Sequence, residues 1–406
     1  MKMNKYKIND LLLYILLFFG LFDTARNYTY LPVWFGYLKD VSIYALFLSV
    51  LINQKKVKLP GIKLCGFYFW LLSVLLFTPL GFVYSQLDIK IVLVACFKNI
   101  EFFLLIFIFF QWDKVFSISF SVFWEKYIYG AFFLCIVNIV GYWLPNPIVY
   151  RGISNGRLAE GFYVGRMTVG QPPVAIFPVL FSMIYLVFFP KSKKDFFLVV
   201  IYGICFLLAL SMSGMVAFII VIICYFFFYR NKVNSFYNKL ILIIGSIVIA
   251  IAAKKLVDSN VFIYNAVNTV YDRLILYITS RSDASMSGRE MHQKNALNTL
   301  EGLQWLFGRG EYGYFIKQDS INIENTYVRT LVTNGLIGLS SMLLFWGQLI
   351  GICVKNIRYD RNASLFMLLI IVVYLFHLYT LDFFLIYMLV FSFALFMTWM
   401  YRKLKI

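Results

Sequence analysis

Residues 324–353, ENTYVRTLVTNGLIGLSSMLLFWGQLIGIC, pass from a polar, arginine-bearing stretch straight into an apolar run long enough to cross a bilayer. Leading into this passage and overlapping its start, from Asp258 to Arg329, a polar segment of about 70 residues interrupts a chain that otherwise reads as nearly continuous membrane helix. The segment carries Arg273, Arg281, Arg289, Arg309 and Arg329. Loops held on a rigid scaffold can carry reacting groups, so a polytopic protein with one large loop is expected to keep its chemistry there. The arginines suggest an anionic substrate handled at a membrane surface.

The rest of the chain bears this out in composition. Of 406 residues 62% are hydrophobic and 20% aromatic, only 14% are charged, and the mean hydropathy is +0.79. No soluble fold could bury that much apolar surface. The first apolar run, Leu11 to Phe22, follows Lys2, Lys5 and Lys7 and looks like a signal peptide. No small-residue cleavage site follows it, so it reads as a retained first span. Six cysteines (Cys65, Cys96, Cys135, Cys205, Cys224 and Cys353) fall within or at the ends of apolar runs. Their spacing fits neither a zinc site nor a CxxC pair, and they read as buried structural thiols. A net charge of +18 could point to nucleic acid. The basic residues are instead spread over short inter-helix loops, which excludes nucleic acid as a partner and makes them topology signals.

The pattern predicts an all-α polytopic membrane protein that forms a single integral membrane domain over residues 1–406. About twelve helices are expected, near 9–24, 33–52, 64–83, 89–110, 127–145, 171–189, 196–212, 213–229, 240–257, 330–353, 364–381 and 383–400. Every loop assigned to the inside is short and lysine-rich, such as Lys55-Lys56-Val57-Lys58 and Lys191-Ser192-Lys193-Lys194. The positive-inside rule then puts both termini in the cytoplasm and two segments outside, residues 146–170 and the large, partly helical loop 258–329. The inner segments hold about 17 Lys against about 4 Arg. The outer ones are dominated by arginine: Arg26, Arg151, Arg157, Arg166 and the five already named. Lysine suffices for topology, whereas arginine offers a planar fork that grips phosphate oxygens bidentately.

Inside the membrane the charges are few: Lys39, Asp40, Lys98 and Glu101. The last two, at i,i+3 spacing, are expected to neutralise each other on an inward face. Ser211-Met212-Ser213-Gly214 reads as a tight outer turn between two short helices, whose backbone amides could face a ligand.

Two outer segments hold the unusual polar residues. Arg151 to Pro173, RGISNGRLAEGFYVGRMTVGQPP, combines arginines and glycines ahead of a helix opening at Pro172, an arrangement suited to an anion. It has neither a Walker lysine pattern nor GxGxxG, so nucleotide binding is unsupported. In the large loop, Ser287-Gly288-Arg289-Glu290 has the form of a helix start, with Ser287 as N-cap. The helix is expected to run on through Met291, Ala296, Leu297, Leu300, Leu303 and Leu306 until Gly308-Arg309-Gly310 and Gly313 stop it. Asp283, Asp319 and Glu311 read as solvated loop acids. No metal constellation stands out, and a reaction independent of metal and cofactor is expected.

The order of these motifs resembles the superfamily of O-antigen ligases and Wzy-type polysaccharide polymerases. An arginine–glycine–proline segment precedes a middle helix and a small-residue break. A long outer loop follows with Ser287-Gly288-Arg289, Ala296-Leu297 and Gly308-Arg309-Gly310, and then Asn325-Thr326-Tyr327 leads to Gly335-Leu336-Ile337-Gly338-Leu339. The resemblance covers roughly 145–345. Ligases of the superfamily typically carry histidine where this chain has Glu324, immediately before Asn325, and Ser-Arg where it has Ser211-Met212. Both departures favour polymerase.

What the resemblance implies is a glycosyltransferase in the bacterial inner (plasma) membrane that joins oligosaccharide repeat units carried on undecaprenyl pyrophosphate, building O-antigen of lipopolysaccharide, capsule or exopolysaccharide. Its partners would be those lipid-linked glycans and the bilayer; a polysaccharide chain-length regulator is left open. Arg157, Arg166 and Arg289, with Arg329 next, would stabilise charge on the departing pyrophosphate. Glu324 is the first candidate for general base, and His292 the alternative. His377, inside an apolar span, reads as a packed or hydrogen-bonded residue. Two other functions stay open: an O-antigen ligase, and a flippase or transporter of lipid-linked oligosaccharide. A flippase would be expected to show charged residues inside the bundle and two related halves.

Overall fold

The computed structural model describes residues 2–22, 33–53, 64–143, 177–208, 284–314, 323–380 and 386–404. Among them there are helices, short 3-10 turns and loops, and no strand. Among the described residues five helices are long and apolar enough to cross a membrane: Trp34–Ile52, Cys65–Tyr84, Ile89–Phe110, Thr326–Asn356 and Arg361–Tyr379. The chain is an all-α polytopic membrane protein. The remaining expected spans include 213–229 and 240–257, which lie outside the described residues.

The chain divides into two compact units. The first comprises Met1–Leu12, Asp40–Ser117 and Ser282–Ile406. In chain order its helices begin with part of α1 (Lys2–Phe22), α2 (Leu38–Asn53), α3 (Cys65–Phe77), the one-turn α4 (Gly81–Tyr84), α5 (Ile89–Phe110) and the one-turn α6 (Trp112–Val115). The second unit comprises Leu13–Lys39 and Ile118–Arg281, and holds α7 (Phe120–Trp143), α8 (Phe177–Phe188) and α9 (Lys193–Leu208). The first unit then resumes with α10 (Ala284–Leu297), α11 (Gln304–Phe307), α12 (Thr326–Asn356), α13 (Arg361–Thr380) and α14 (Tyr387–Leu404).

In the first unit the core is aromatic. Phe67 and Trp70 of α3, Phe102 and Phe103 of α5, Phe345 of α12 and Phe393 of α14 are fully buried and pack as a chain of tilted and edge-on rings. Such rings bring large buried areas, and edge-on packing adds to them. The α3 and α12 helices approach at backbone distance, because a Cβ on Gly66 would lie 2.5 Å from the Phe345 nitrogen. The first turn of α3 has no side-chain cap from its own segment. Gln348 supplies one from α12, accepting the Gly66 N–H at 2.9 Å.

In the second unit Trp124, Tyr127, Phe181 and Tyr185 form a similar aromatic contact between α7 and α8. Asp195 accepts from the Lys191 and Ser192 N–H groups and from the Tyr129 hydroxyl, and so organises the short loop into α9. Helix α7 starts at Phe120, where the sequence suggested an inner loop up to residue 126. Its early residues Phe120, Phe123 and Trp124 are buried, so packing extends the helix past the point where hydropathy alone would end it.

Candidate functional site at the break in helix α12

All geometry here belongs to the first unit. Helix α12 is two helices joined at Gly335, whose φ of 67° and ψ of −170° are not helical. Glycine tolerates that φ without steric cost. Carbonyls just ahead of the break lose their partners four residues on, and something must satisfy them. The large loop does so. Arg309 N–H donates to the Val332 carbonyl at 2.8 Å and Gly310 N–H to that of Thr333 at 2.9 Å. On the other side Glu311 N–H donates to the Thr78 carbonyl, at the end of α3, at 2.9 Å. Three successive amides thus stitch the loop between α3 and α12. There is no space for a side chain at the seam: a Cβ on Gly310 would lie 1.9 Å from the Gly81 nitrogen.

This stitching drives Glu311 into the bundle. Its carboxylate accepts from Arg329 Nη2 at 2.7 Å through one oxygen and from Asn99 Nδ2 at 2.9 Å through the other. The pair is almost dry, with side-chain exposures of 4% for Arg329 and 1% for Glu311. Asn99 also donates to the Ala95 carbonyl, Thr78 Oγ1 donates to Asn334 Oδ1, and Thr333 Oγ1 donates to the Arg329 carbonyl. The expectation that Glu311 is a solvated loop acid is therefore wrong. Backbone docking carries the loop in among the helices, where an unpaired carboxylate would not be tolerated.

A second Arg–Glu pair lies at the mouth of α12. Asn325 caps this helix, accepting from Tyr327 N–H at 2.9 Å and Val328 N–H at 3.2 Å. Glu324, directly before the cap, has its Oε2 2.7 Å from Arg289 Nε of α10, with exposures of 42% for Arg289 and 34% for Glu324. The contact is a charge pair without hydrogen-bond alignment. Arg289, His292 and Ala296 fall at i, i+3 and i+7, one stripe of α10. Ala296 ends that stripe fully buried in a small cluster with Leu300, Tyr314, Ile323 and Val332. The Nδ1 of His292 is buried without a hydrogen-bond partner.

The structure thus brings Arg289 against Glu324 at the start of α12, with His292 on the same stripe of α10 as Arg289. It places Arg329 elsewhere, on the buried pair with Glu311. Arg157 and Arg166, with the outer segment 146–170 and the turn 211–214, lie outside the described residues. Two details of the loop differ from expectation. Helix α10 begins at Ala284, so Ser287 is inside its first turns and is not the N-cap. It ends at Leu297, and only the one-turn α11 follows, because Leu300 turns into the cluster while Leu303 stays exposed. His377 is buried with Nδ1 2.8 Å from the Val373 carbonyl, a packed histidine as expected.

The sequence reading missed Asn99 and Glu311, and gave Arg309 no role. The Arg309 guanidinium donates to the Thr299 carbonyl at 2.5 Å and lies 5.3 Å from the centre of the Tyr84 ring, while its Nε is buried without a partner. The available signal was the spacing Gly308, Gly310, Gly313. Glycines this dense mark close backbone approach as well as a helix stop.

Chemically, the mouth offers a half-exposed guanidinium and a carboxylate at the positive end of a helix, with the His292 imidazole on the adjoining helix α10. That set can hold an anion and accept a proton. A comparison with curated proteins returns no match. Residues 197–343, which include all the side chains of both Arg–Glu pairs, match a family model described as O-antigen ligase. That match is consistent with the O-antigen ligase/polymerase superfamily, a group of glycan-modifying enzymes.

Proposed function

We propose that the protein polymerises lipid-linked oligosaccharide repeat units on the outer face of the bacterial plasma membrane, with both termini in the cytoplasm. The observation that carries this reading is the Arg289–Glu324 pair, in which a carboxylate occupies the position directly before the capping Asn325. In this reading a hydroxyl at the non-reducing end of one repeat attacks the anomeric carbon of a glycan on undecaprenyl pyrophosphate. The new C–O bond forms as the bond from that carbon to the pyrophosphate oxygen breaks. The hydroxyl proton passes to Glu324, or to His292 in the alternative assignment. Undecaprenyl pyrophosphate leaves with the electron pair, its charge met by Arg289, with Arg157 and Arg166 proposed as further arginines for pyrophosphate. The bond broken supplies the driving force, so no nucleotide sugar is required outside the cell.

The test is what accumulates when the gene is deleted. Polymerase loss leaves single repeats on the cell surface, and the wild-type gene restores the ladder of lengths. Full-length chains left on the lipid carrier would show a ligase instead. Repeat units stranded on the inner leaflet would show a flippase.

A further inference from the structure

The one-turn helix α11 carries apolar side chains outward. Leu303 is 70% and Trp305 42% exposed, and Leu306 and Phe307 beside them are exposed as well. A loop in water would leave this area unfavourably hydrated, at roughly 25 cal/mol per Å². Its height along the membrane normal explains it. The part of α12 after the break, residues 336–356, is about 32 Å long at 1.5 Å per residue. That equals a hydrocarbon core of ~30 Å, and Lys355 in its last turn marks the inner end. With the large loop outside, as proposed above, this length puts Gly335 at the outer hydrocarbon boundary, and a Cβ there would lie 2.1 Å from the Leu306 carbonyl oxygen. The α11 turn is fixed at the same level. Its exposed residues continue the exposed apolar surface of the spanning helices. Phe307 packs on Phe77 of α3 with ring centres 5.3 Å apart, next to exposed Leu76, and the Leu306 backbone lies against Gly335, directly before exposed Leu336 and Ile337 of α12.

We infer that Leu303, Trp305, Leu306 and Phe307 insert into the outer leaflet, with the acyl chains of the bilayer as their partner. The segment is an interfacial anchor formed by docked loop backbone, too short to bind a membrane as a free amphipathic helix. Tyr84 and Arg309 beside it are residue types that favour the same interface. The anchor holds the large loop at the plane of the headgroups, where the phosphates of any lipid-linked substrate lie. The inference rests on the level of the α12 break, on exposure and on the proposed outward orientation of the loop, and it stands or falls independently of the polymerase chemistry.

The experiment measures depth. Single cysteines replace Leu303, Trp305, Leu306 and, as a solvent-side reference, exposed Glu301, in a chain whose six native cysteines are replaced. Each carries a bimane label in proteoliposomes of phosphatidylcholine brominated at acyl carbons near the headgroup. At an insertion depth of several ångströms, quenching at 303, 305 and 306 is expected to exceed that at 301 roughly threefold. Equal quenching at all four overturns the inference. If the cysteine-replaced chain does not fold, a diazirine amino acid takes the same positions in the otherwise native chain. Phospholipid adducts at 303, 305 and 306 support the anchor. Adducts to a second copy of the chain, or none, overturn it.

Discussion

The same ion pair occurs twice in the first unit, and the two copies do opposite work. Arg329–Glu311 and Arg289–Glu324 each have a nitrogen–oxygen contact of 2.7 Å. The first is sealed among helices, with Asn99 completing the carboxylate's hydrogen bonds. The second sits half-exposed at the start of α12. Distance alone does not separate them, but burial does. Removing one partner of a buried pair strands a charge where water cannot reach it, whereas an exposed pair exchanges partners with little loss. The inner pair is therefore a fastening for the loop, and the outer one is exposed as the anion-binding role proposed for it would require.

Breaking the inner pair should have the largest effect on folding. Glu311→Ala leaves Arg329 buried and uncompensated, and a loss of about 3–5 kcal/mol is expected, read as a large drop in melting temperature in detergent. The double variant Glu311→Leu with Arg329→Met should recover much of that loss, because no lone charge remains. Gly335→Ala comes next. It forces a side chain into left-handed backbone against the Leu306 carbonyl, and at least about 1–3 kcal/mol of strain should appear in the same melt. Asn99→Ala removes one donor from the buried carboxylate, with an expected loss of ~1–3 kcal/mol. At the far end, Arg289→Ala and Glu324→Ala should each change stability by less than about 1 kcal/mol.

How much of this was legible in the sequence depends on how local its cause is. Helix α5 is read to its boundaries, 89–110, because an apolar run and a capping Asp88 are adjacent to each other in the chain. The mouth residues Arg289 and Glu324 were identified by motif order, and their meeting needs only α10 to pack on α12. Glu311 was misread because its partner Asn99 is 212 positions away, beyond any periodic or capping signal. A polar residue flanked by glycines looks the same whether the loop floats or docks. The break at Gly335 was hidden for a related reason. Glycine is common in membrane helices, and only the amides of Arg309 and Gly310 show that the carbonyls before it have left the helix.

The division of labour between the two pairs is tested most directly by giving a deletion strain either Arg289→Ala or wild type at matched membrane abundance, and measuring surface polysaccharide length and melting temperature together. The account predicts that Arg289→Ala melts like wild type yet leaves single repeats, with Glu324→Ala behaving the same way if Glu324 is the base. A full-length ladder from a stably folded Arg289→Ala protein would contradict it.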